Sequence, residues 1–520
     1  MKITLVCLNS KFTHTSLGIW YIKQYCQSSK VDFSMLDTFV NRSTEEIVAD
    51  ILKTNPDIVG FSTYIFNVEK TVEVATEIKA RGIRTVFGGP EATFNTKIHD
   101  LADQIILGEG ERAWESIING NNSHIIAGEE TQNIAYPYTD EFFENAKNRM
   151  VYFEASRGCP FSCSYCMSAG TKLRQFPFEE VTRELLKFKN KDIRLIKFVD
   201  RTFNANKRYA ERLLNWINEN FSNDKIRFHF EVAPELFDEG LLNAIKNAKK
   251  GLFQFEIGYQ SYSKKALEAV NRFENLEISA SNIKKLVSFN NSHIHTDLIV
   301  GLPYEDMLSF KQSFNELYSL GGHQIQVGFL KVLKGSKLEN ELADGYVVNE
   351  TPPYEVTETP WLTKNDIISL KRLEVAVDSV FNSQRFNSII YYGLKYSSPF
   401  DFYSELSGYV TDFCQLFVLY DEVKKFMLSK GFDNETICNI LKFDYLASNL
   451  NKLLPPAVEH CFNKDFKKKI KNIKSDYPDY RFYEFSVNPV TYQKKPCIIA
   501  FSSAFADEIT KRFEYKIFDI

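Results

Sequence analysis

At 520 residues the chain has room for two to four domains and an ample core. Its 44% hydrophobic and 25% charged residues are ordinary for a globular protein, and its formal charge of −4 gives no general electrostatic ground for a nucleic-acid partner. No run approaches the roughly 18 apolar residues of a membrane-spanning helix, the start Met-Lys-Ile-Thr-Leu-Val-Cys is too short and strand-like for a signal peptide, and nine cysteines are too few for a disulfide framework. A cytoplasmic, reducing location is expected.

Apolar runs at 3–8, 33–36, 58–62, 85–87 and 104–107 alternate with helix-like stretches at 17–27, 44–54, 68–80 and 96–100. This βαβα order predicts an α/β domain over 1–135 with a doubly wound parallel sheet, whose ligand sits beyond the carboxyl ends of the strands. The loops there are Asn9-Ser10-Lys11, Ser62-Thr63-Tyr64, Gly88-Gly89-Pro90-Glu91-Ala92 and Gly108-Glu109-Gly110-Glu111. No G-x-G-x-x-G follows the first strand, so a dinucleotide fingerprint is missing. Residues 136–150 read as a linker.

A second rhythm starts at Val151, with strands at 151–155, 195–199, 227–232, 253–257, 294–300 and 325–330. Helical stretches at 179–189, 209–218, 241–248 and 280–289 lie between them. Six repeats predict a partial (β/α)6 barrel over 151–340, with its chemistry at the C-terminal strand ends. The first strand runs into Arg157-Gly158-Cys159-Pro160-Phe161-Ser162-Cys163-Ser164-Tyr165-Cys166, a C-x3-C-x2-C spacing. Thiolates ligate iron–sulfur clusters, usually four at a time, and no fourth cysteine is near. A cubane on three thiolates keeps one iron open, whereas a zinc knot needs four closed ligands that the sequence does not supply. Asp200, Glu231, Glu256, Gln260 and Asp297 fall at other strand ends, either facing a shared cavity or pairing with Arg201, Arg157 and helix N-termini.

Residues 341–520 read as mainly helical, either a substrate lid or a helical cap with a buried aromatic core. A proline-rich loop at 346–361 is expected across the barrel mouth. Helices are expected at 365–381 and 403–425, an aromatic cluster at 391–396, a basic run at 464–474, and short strands at 498–501 and 515–520.

With Tyr165 at its aromatic position, the cysteine stretch resembles the C-x3-C-x-aromatic-C motif of radical S-adenosylmethionine (radical SAM) enzymes. Phe-Val-Asp200-Arg-Thr-Phe-Asn, Glu256-Ile-Gly-Tyr-Gln-Ser and Asp297-Leu-Ile-Val-Gly-Leu-Pro are similar to later strand motifs of that family, with Arg201 in place of a second acidic residue. Gly-Gly-Pro-Glu-Ala and Gly-Glu-Gly-Glu resemble the Rossmann-like cobalamin-binding domain that precedes many of its members, in the class that ends in a domain of unknown function. The resemblance implies a 4Fe-4S cluster on Cys159, Cys163 and Cys166. It implies S-adenosylmethionine contacts from Tyr165, Asp200, Glu256, Gln260 and Asp297, with Arg157 helping to orient that ligand. It implies cobalamin contacts from Asn9, His14, Ser62, Thr63, Gly88, Gly89, Pro90, Gly108, Glu109 and Gly110. In place of the D-x-H-x-x-G of histidine-ligated cobalamin domains the chain reads Phe12-Thr13-His14-Thr15-Ser16-Leu17, so His14 is expected to line the pocket rather than ligate cobalt.

The function so implied begins with cleavage of S-adenosylmethionine to a 5′-deoxyadenosyl radical. Hydrogen is then abstracted from a small-molecule or peptide substrate, and a methyl group is transferred from methylcobalamin. The partner is an external reductant of flavodoxin or ferredoxin type. Alternatives are a non-methylating cyclisation, rearrangement or oxidation with the same cofactors, and a cobalamin- or redox-sensing iron–sulfur protein. A methylthiotransferase would need three N-terminal cysteines, against Cys7 and Cys26 here.

Overall fold

The computed structural model describes residues 1–27, 31–131, 134–449, 453–458 and 466–519. The chain folds as two units. The first gathers Met1–Ala233, Val270–Arg272 and Lys331–Val356; the second holds Pro234–Ala269, Phe273–Leu330 and Thr357–Ile520.

In the first unit, β1 (Lys2–Asn9), α1 (Gly18–Tyr25), β2 (Asp32–Phe39), α2 (Thr44–Lys53), β3 (Ile58–Ser62), α3 (Val68–Lys79), β4 (Arg84–Gly88), α4 (Thr96–Leu101) and β5 (Gln104–Leu107) follow the expected alternation. Two elements for which no apolar run was read join them: α5 (Gly110–Ile118), which starts inside the Gly108–Glu111 loop, and the edge strand β6 (Ile125–Ala127). The apolar face of α5 is only Ala113, Trp114 and Ile117, hidden in sequence behind a Gly-Glu loop. β6 has three residues, too few for an alternating pattern. All six strands are parallel, in the order β2-β1-β3-β4-β5-β6. β1 is buried along seven of its eight residues, as befits a strand covered on both faces. The core between sheet and helices includes Val6, Leu8, Ile51, Phe61, Ile78, Phe87 and Ile105.

After the short helix α6 (Asp140–Asn145) come β7 (Val151–Phe153), β8 (Ser156–Cys159), β9 (Thr171–Gln175), α7 (Phe178–Leu186), β10 (Leu195–Phe198), α8 (Lys207–Phe221) and β11 (Arg227–Val232). β10 pairs in parallel with β7 and with β11. β8 and β9 form an antiparallel hairpin in which Arg157 faces Arg174 and Cys159 faces Thr171. The hairpin depends on Gly158 (φ +93°), where any Cβ would run into the Lys172 carbonyl. The proline-rich loop belongs to this unit as far as Val356, and Tyr354 Oη donates to Glu91 Oε2 (2.8 Å).

In the second unit, α9 (Glu239–Lys246), β12 (Phe253–Gln260), α10 (Lys264–Ala269), α11 (Leu276–Ser288), β13 (His293–Val300), α12 (Met307–Ser319) and β14 (Gln324–Phe329) continue the rhythm. β13 pairs in parallel with β12 and β14. Along β12 and β13 one face is fully buried and the other half-buried and polar, carrying Glu256, His295 and Asp297. Each unit thus supplies three of the six expected barrel strands.

Beyond them, the single helix expected over 403–425 is two, Pro399–Leu406 and Leu416–Ser429. Ser407-Gly408 ends the first, and Val410, Thr411 and Asp412 are weak helix formers that do not restart it. The helix expected over 365–381 runs Lys364–Ala376 and passes into a π-helical turn, Val377–Asn382. The region is not helical throughout: Tyr480–Phe485, Cys497–Ala506 and Phe513–Asp519 form an antiparallel sheet. Positions 464–465 of the basic run lie outside the described residues, as does Ile520, and Phe466–Asp476 is a helix. An aromatic core does form, with the Tyr318 and Phe381 rings 5.1 Å apart and Tyr403 packed on both.

Candidate active site

The three cysteines share one loop. Cys159 closes β8, its N–H donating to Thr171 Oγ1 (3.0 Å). The loop is then folded on itself by Cys166 N–H to the Cys163 carbonyl (3.0 Å) and Gly170 N–H to the Phe161 carbonyl (2.7 Å). Two distant segments pin it: Ser164 donates to the Val270 carbonyl, and Leu338 donates to Ser164 (both 2.9 Å). All three thiols are free, with Cys159 and Cys163 only 7% and 8% exposed. Burial raises the Cys166 thiol, and Cys159 and Cys163 raise it further. The Arg272 guanidinium lies 3.9 Å from Cys163 Sγ. Tyr165 is half-buried beside both, and desolvation raises its phenol against the pull of Arg272.

Beside this loop, within the same unit, lies a cavity of about 510 Å³. Its floor and one wall are the strand ends of the N-terminal sheet: Asn9 and Ser10, Ser62 and Tyr64, Gly88 and Gly89, and Gly108 to Gly110. The other wall is Tyr152 on β7 and Glu154 just after it, Arg157 on β8, and Val199 and Arg201 after β10. Gly89 (φ +100°) permits the turn on which this depends, since a Cβ there would collide with the Thr63 carbonyl. Thr63 itself is outside the lining; fully buried, it donates twice to the Gly88 carbonyl (both 2.8 Å). Pro90 is exposed and outside the lining too. His14 lines the cavity with Nδ1 2.8 Å from Tyr152 Oη, and burial lowers its pKa.

Arg157, expected to orient a ligand, has its donors taken by three carboxylates. Nη1 meets Glu109 (2.7 Å), Nη2 meets Glu111 (2.7 Å) and Nε meets Glu154 (3.0 Å). Arg174 also bonds Glu109. Burial nonetheless pushes Glu154 up to about 7, against the pull of Arg157. Asp200 is fully buried, accepting from Ala155 N–H (2.9 Å) and Ser156 Oγ (2.6 Å), so it braces the β7–β8 turn rather than facing the cavity. Burial pushes it up to about 6.

Glu256, Gln260 and Asp297 lie in the second unit. Glu256, His295 and Asp297 bring their ligand atoms within 4.8 Å of one another. Gln260 ends β12 in the left-handed region (φ +67°). The sequence did not single out Arg174, Arg272 or Tyr152. Only Tyr152, next to the cysteine strand, carried a positional signal.

Three family models match in order: a B12 binding domain over 3–118, the radical SAM superfamily over 153–317, and a protein of unknown function, DUF4080, over 344–496. Together they give the chain the domain order of a B12-binding radical SAM protein with a C-terminal domain of unknown function. The cofactors are cobalamin, a 4Fe-4S cluster and S-adenosylmethionine. It is 25% identical over 383 residues to the 2-(S-pantetheinyl)-carbapenam-3-carboxylate methyltransferase of Streptantibioticus cattleyicolor, covering 62% of this chain and 54% of that protein. It is 25% identical over 366 residues to the cobalamin-dependent radical SAM methyltransferase TokK of Streptomyces tokunonensis, covering 59% and 51%. The match thus spans about half the length of these relatives. The fold is similar to TsrM from Kitasatospora setae (TM-score 0.56, 15% identity, 68% of this chain and 81% of that one) and to OxsB (TM-score 0.56, 15%, 91% and 84%). Among the described residues no helix is long and apolar enough to cross a membrane.

Proposed function

We propose that this protein is a cobalamin-dependent radical SAM methyltransferase acting on a non-activated carbon of a small molecule. The observation that carries the proposal is the cavity whose two walls come from the B12-binding strand ends and from the strand ends flanking the cysteine loop. The residues fit the groups. Three free thiols on one folded loop are the donor set for a cluster with one open iron. The cavity is within the roughly 300–1,000 Å³ of cofactor pockets, and its glycine turns let backbone approach a large flat ligand.

When bound, the cluster supplies an electron to S-adenosylmethionine and the corrin supplies a methyl group, chemistry that belongs to the cofactors. Cys159, Cys163 and Cys166 would hold the cluster, with Arg272 balancing thiolate charge. Asn9, Ser62, Gly88, Gly89, Gly108 and Gly110 would hold the corrin. His14, engaged with Tyr152, would line the pocket. Asp200 and the Arg157–Glu109–Glu111–Glu154 network would fix the cysteine hairpin against the B12-binding loops. The methylthiotransferase reading lacks its cysteines: Cys7 and Cys26 are both buried, and burial pushes each thiol up to about 12.

The test is anaerobic reconstitution with iron, sulfide and cobalamin, then S-adenosylmethionine and a strong reductant. Wild type is expected to release 5′-deoxyadenosine and retain corrin absorbance. Cys163→Ala is expected to keep the corrin and lower nucleoside release to background. Nucleoside without any transfer of label from methyl-labelled S-adenosylmethionine, once a substrate is in hand, would favour the non-methylating alternative. Corrin lost from wild type would sink the proposal.

A further inference from the structure

A substrate methylated in this cavity must lie between the corrin wall and the cysteine loop, so the charges left uncompensated on that wall describe what it carries. Most are spent on one another: Arg157 answers three carboxylates, and Arg174 shares one of them. Arg201 is different. It follows β10, lines the cavity, is exposed, and makes no ion pair among the described residues. A second cavity, about 420 Å³, shares Phe66 with the first and is otherwise lined by Ile65, Glu69, Lys331, Pro352 and Pro353. Its ammonium, Lys331, also makes no ion pair among the described residues.

From these positions we infer that Arg201 is the substrate-anion site. The substrate is a small molecule whose carboxylate or phosphate meets the Arg201 guanidinium, and whose apolar body runs past Phe66 toward Pro352 and Pro353. A planar guanidinium takes either anion in a two-point contact, and desolvation beside an apolar wall strengthens it. This inference rests on the methyltransferase reading. The same anion chemistry is offered by the carboxylate of S-adenosylmethionine and the phosphodiester of cobalamin, so the test must separate the sources.

The experiment uses reconstituted holoprotein, wild type and Arg201→Gln and Arg201→Lys, titrated calorimetrically with 4-phenylbutyrate, with the neutral 4-phenylbutanol and with inorganic phosphate. Affinities for S-adenosylmethionine and cobalamin are measured on the same samples. Wild type is expected to bind phenylbutyrate more tightly than phenylbutanol. Arg201→Gln should lose about tenfold or more of that affinity and Arg201→Lys should recover part of it, as removal of a charge-assisted contact predicts. Cofactor affinities should hold within about twofold. Equal binding of acid and alcohol, or no binding of either anion by wild type, overturns the inference. A loss confined to S-adenosylmethionine or cobalamin affinity assigns Arg201 to that cofactor and overturns it as well. The release of 5′-deoxyadenosine, measured in parallel, reports separately on the methyltransferase reading.

Discussion

The helix Asn434–Ser448 and the wall of the 510 Å³ cavity treat polar side chains in opposite ways. Every residue of that helix from Thr436 to Ala447 is buried, charged groups included. Yet Lys442 Nζ donates to the Glu484 carbonyl (2.6 Å), and Asp444 accepts from Ser388 N–H (3.0 Å), Ile389 N–H (2.9 Å) and Arg512 Nη2 (2.8 Å). These groups answer one another and leave nothing for a ligand. On the cavity wall the backbone turns and braces are satisfied, while Arg201 faces open space. Buried polarity is thus closed on itself in one region, while in the other an exposed guanidinium stays open to the cavity.

The sharpest way to break the comparison is to remove one partner of a closed set. Arg512→Met leaves Asp444, 0% exposed, without its counter-ion, and should cost roughly 3–5 kcal/mol, read as a fall in urea midpoint. Corrin retention in native buffer should persist, because the cavity belongs to the other unit. Simultaneous loss of corrin would show that the two regions are not independent.

A smaller effect is expected at Asp200, the brace behind the cysteine hairpin. Its folded pKa, about 6, is above the ordinary 3.8, so the folded state keeps a proton that the unfolded chain has released. The penalty is absent below about pH 4, grows as pH rises, and is complete above about pH 6, reaching on the order of 3 kcal/mol. Asp200→Asn stays neutral, so its stability relative to wild type should climb across that window. A difference that does not change with pH would mean that Asp200 is not held up.

The smallest effect tests the surface. Lys311 and Asp401 pair at 2.7 Å but are 35% and 44% exposed, and Lys311→Ala should cost less than about 1 kcal/mol. A larger loss would place this pair among the closed sets.

Much of the fold was readable because it follows from apolar rhythm: β3 and β5 match their apolar runs residue for residue, and β11 does the same. The β8–β9 hairpin was not, since Leu173 is its one apolar side chain beside polar residues, cysteine and glycine, and its pairing depends on a left-handed Gly158. In the site, spacing alone singled out the three cysteines. Asp200 and Arg157 were visible as charged residues at strand ends, but whether such a residue meets a ligand or a neighbour depends on burial and on partners 44 to 48 positions away. Arg272 had no signal at all, because its link to Cys163 spans 109 residues.

That same loop has a consequence for how the protein is made. The three thiols lie within eight residues, so little chain entropy opposes bringing them together, but the backbone that fixes the loop waits on Val270 and Leu338. A ribosome must have released the chain past residue 338 before the cysteine loop can lock. The two backbone clasps on the cysteine loop therefore come from chain made more than 100 residues after it.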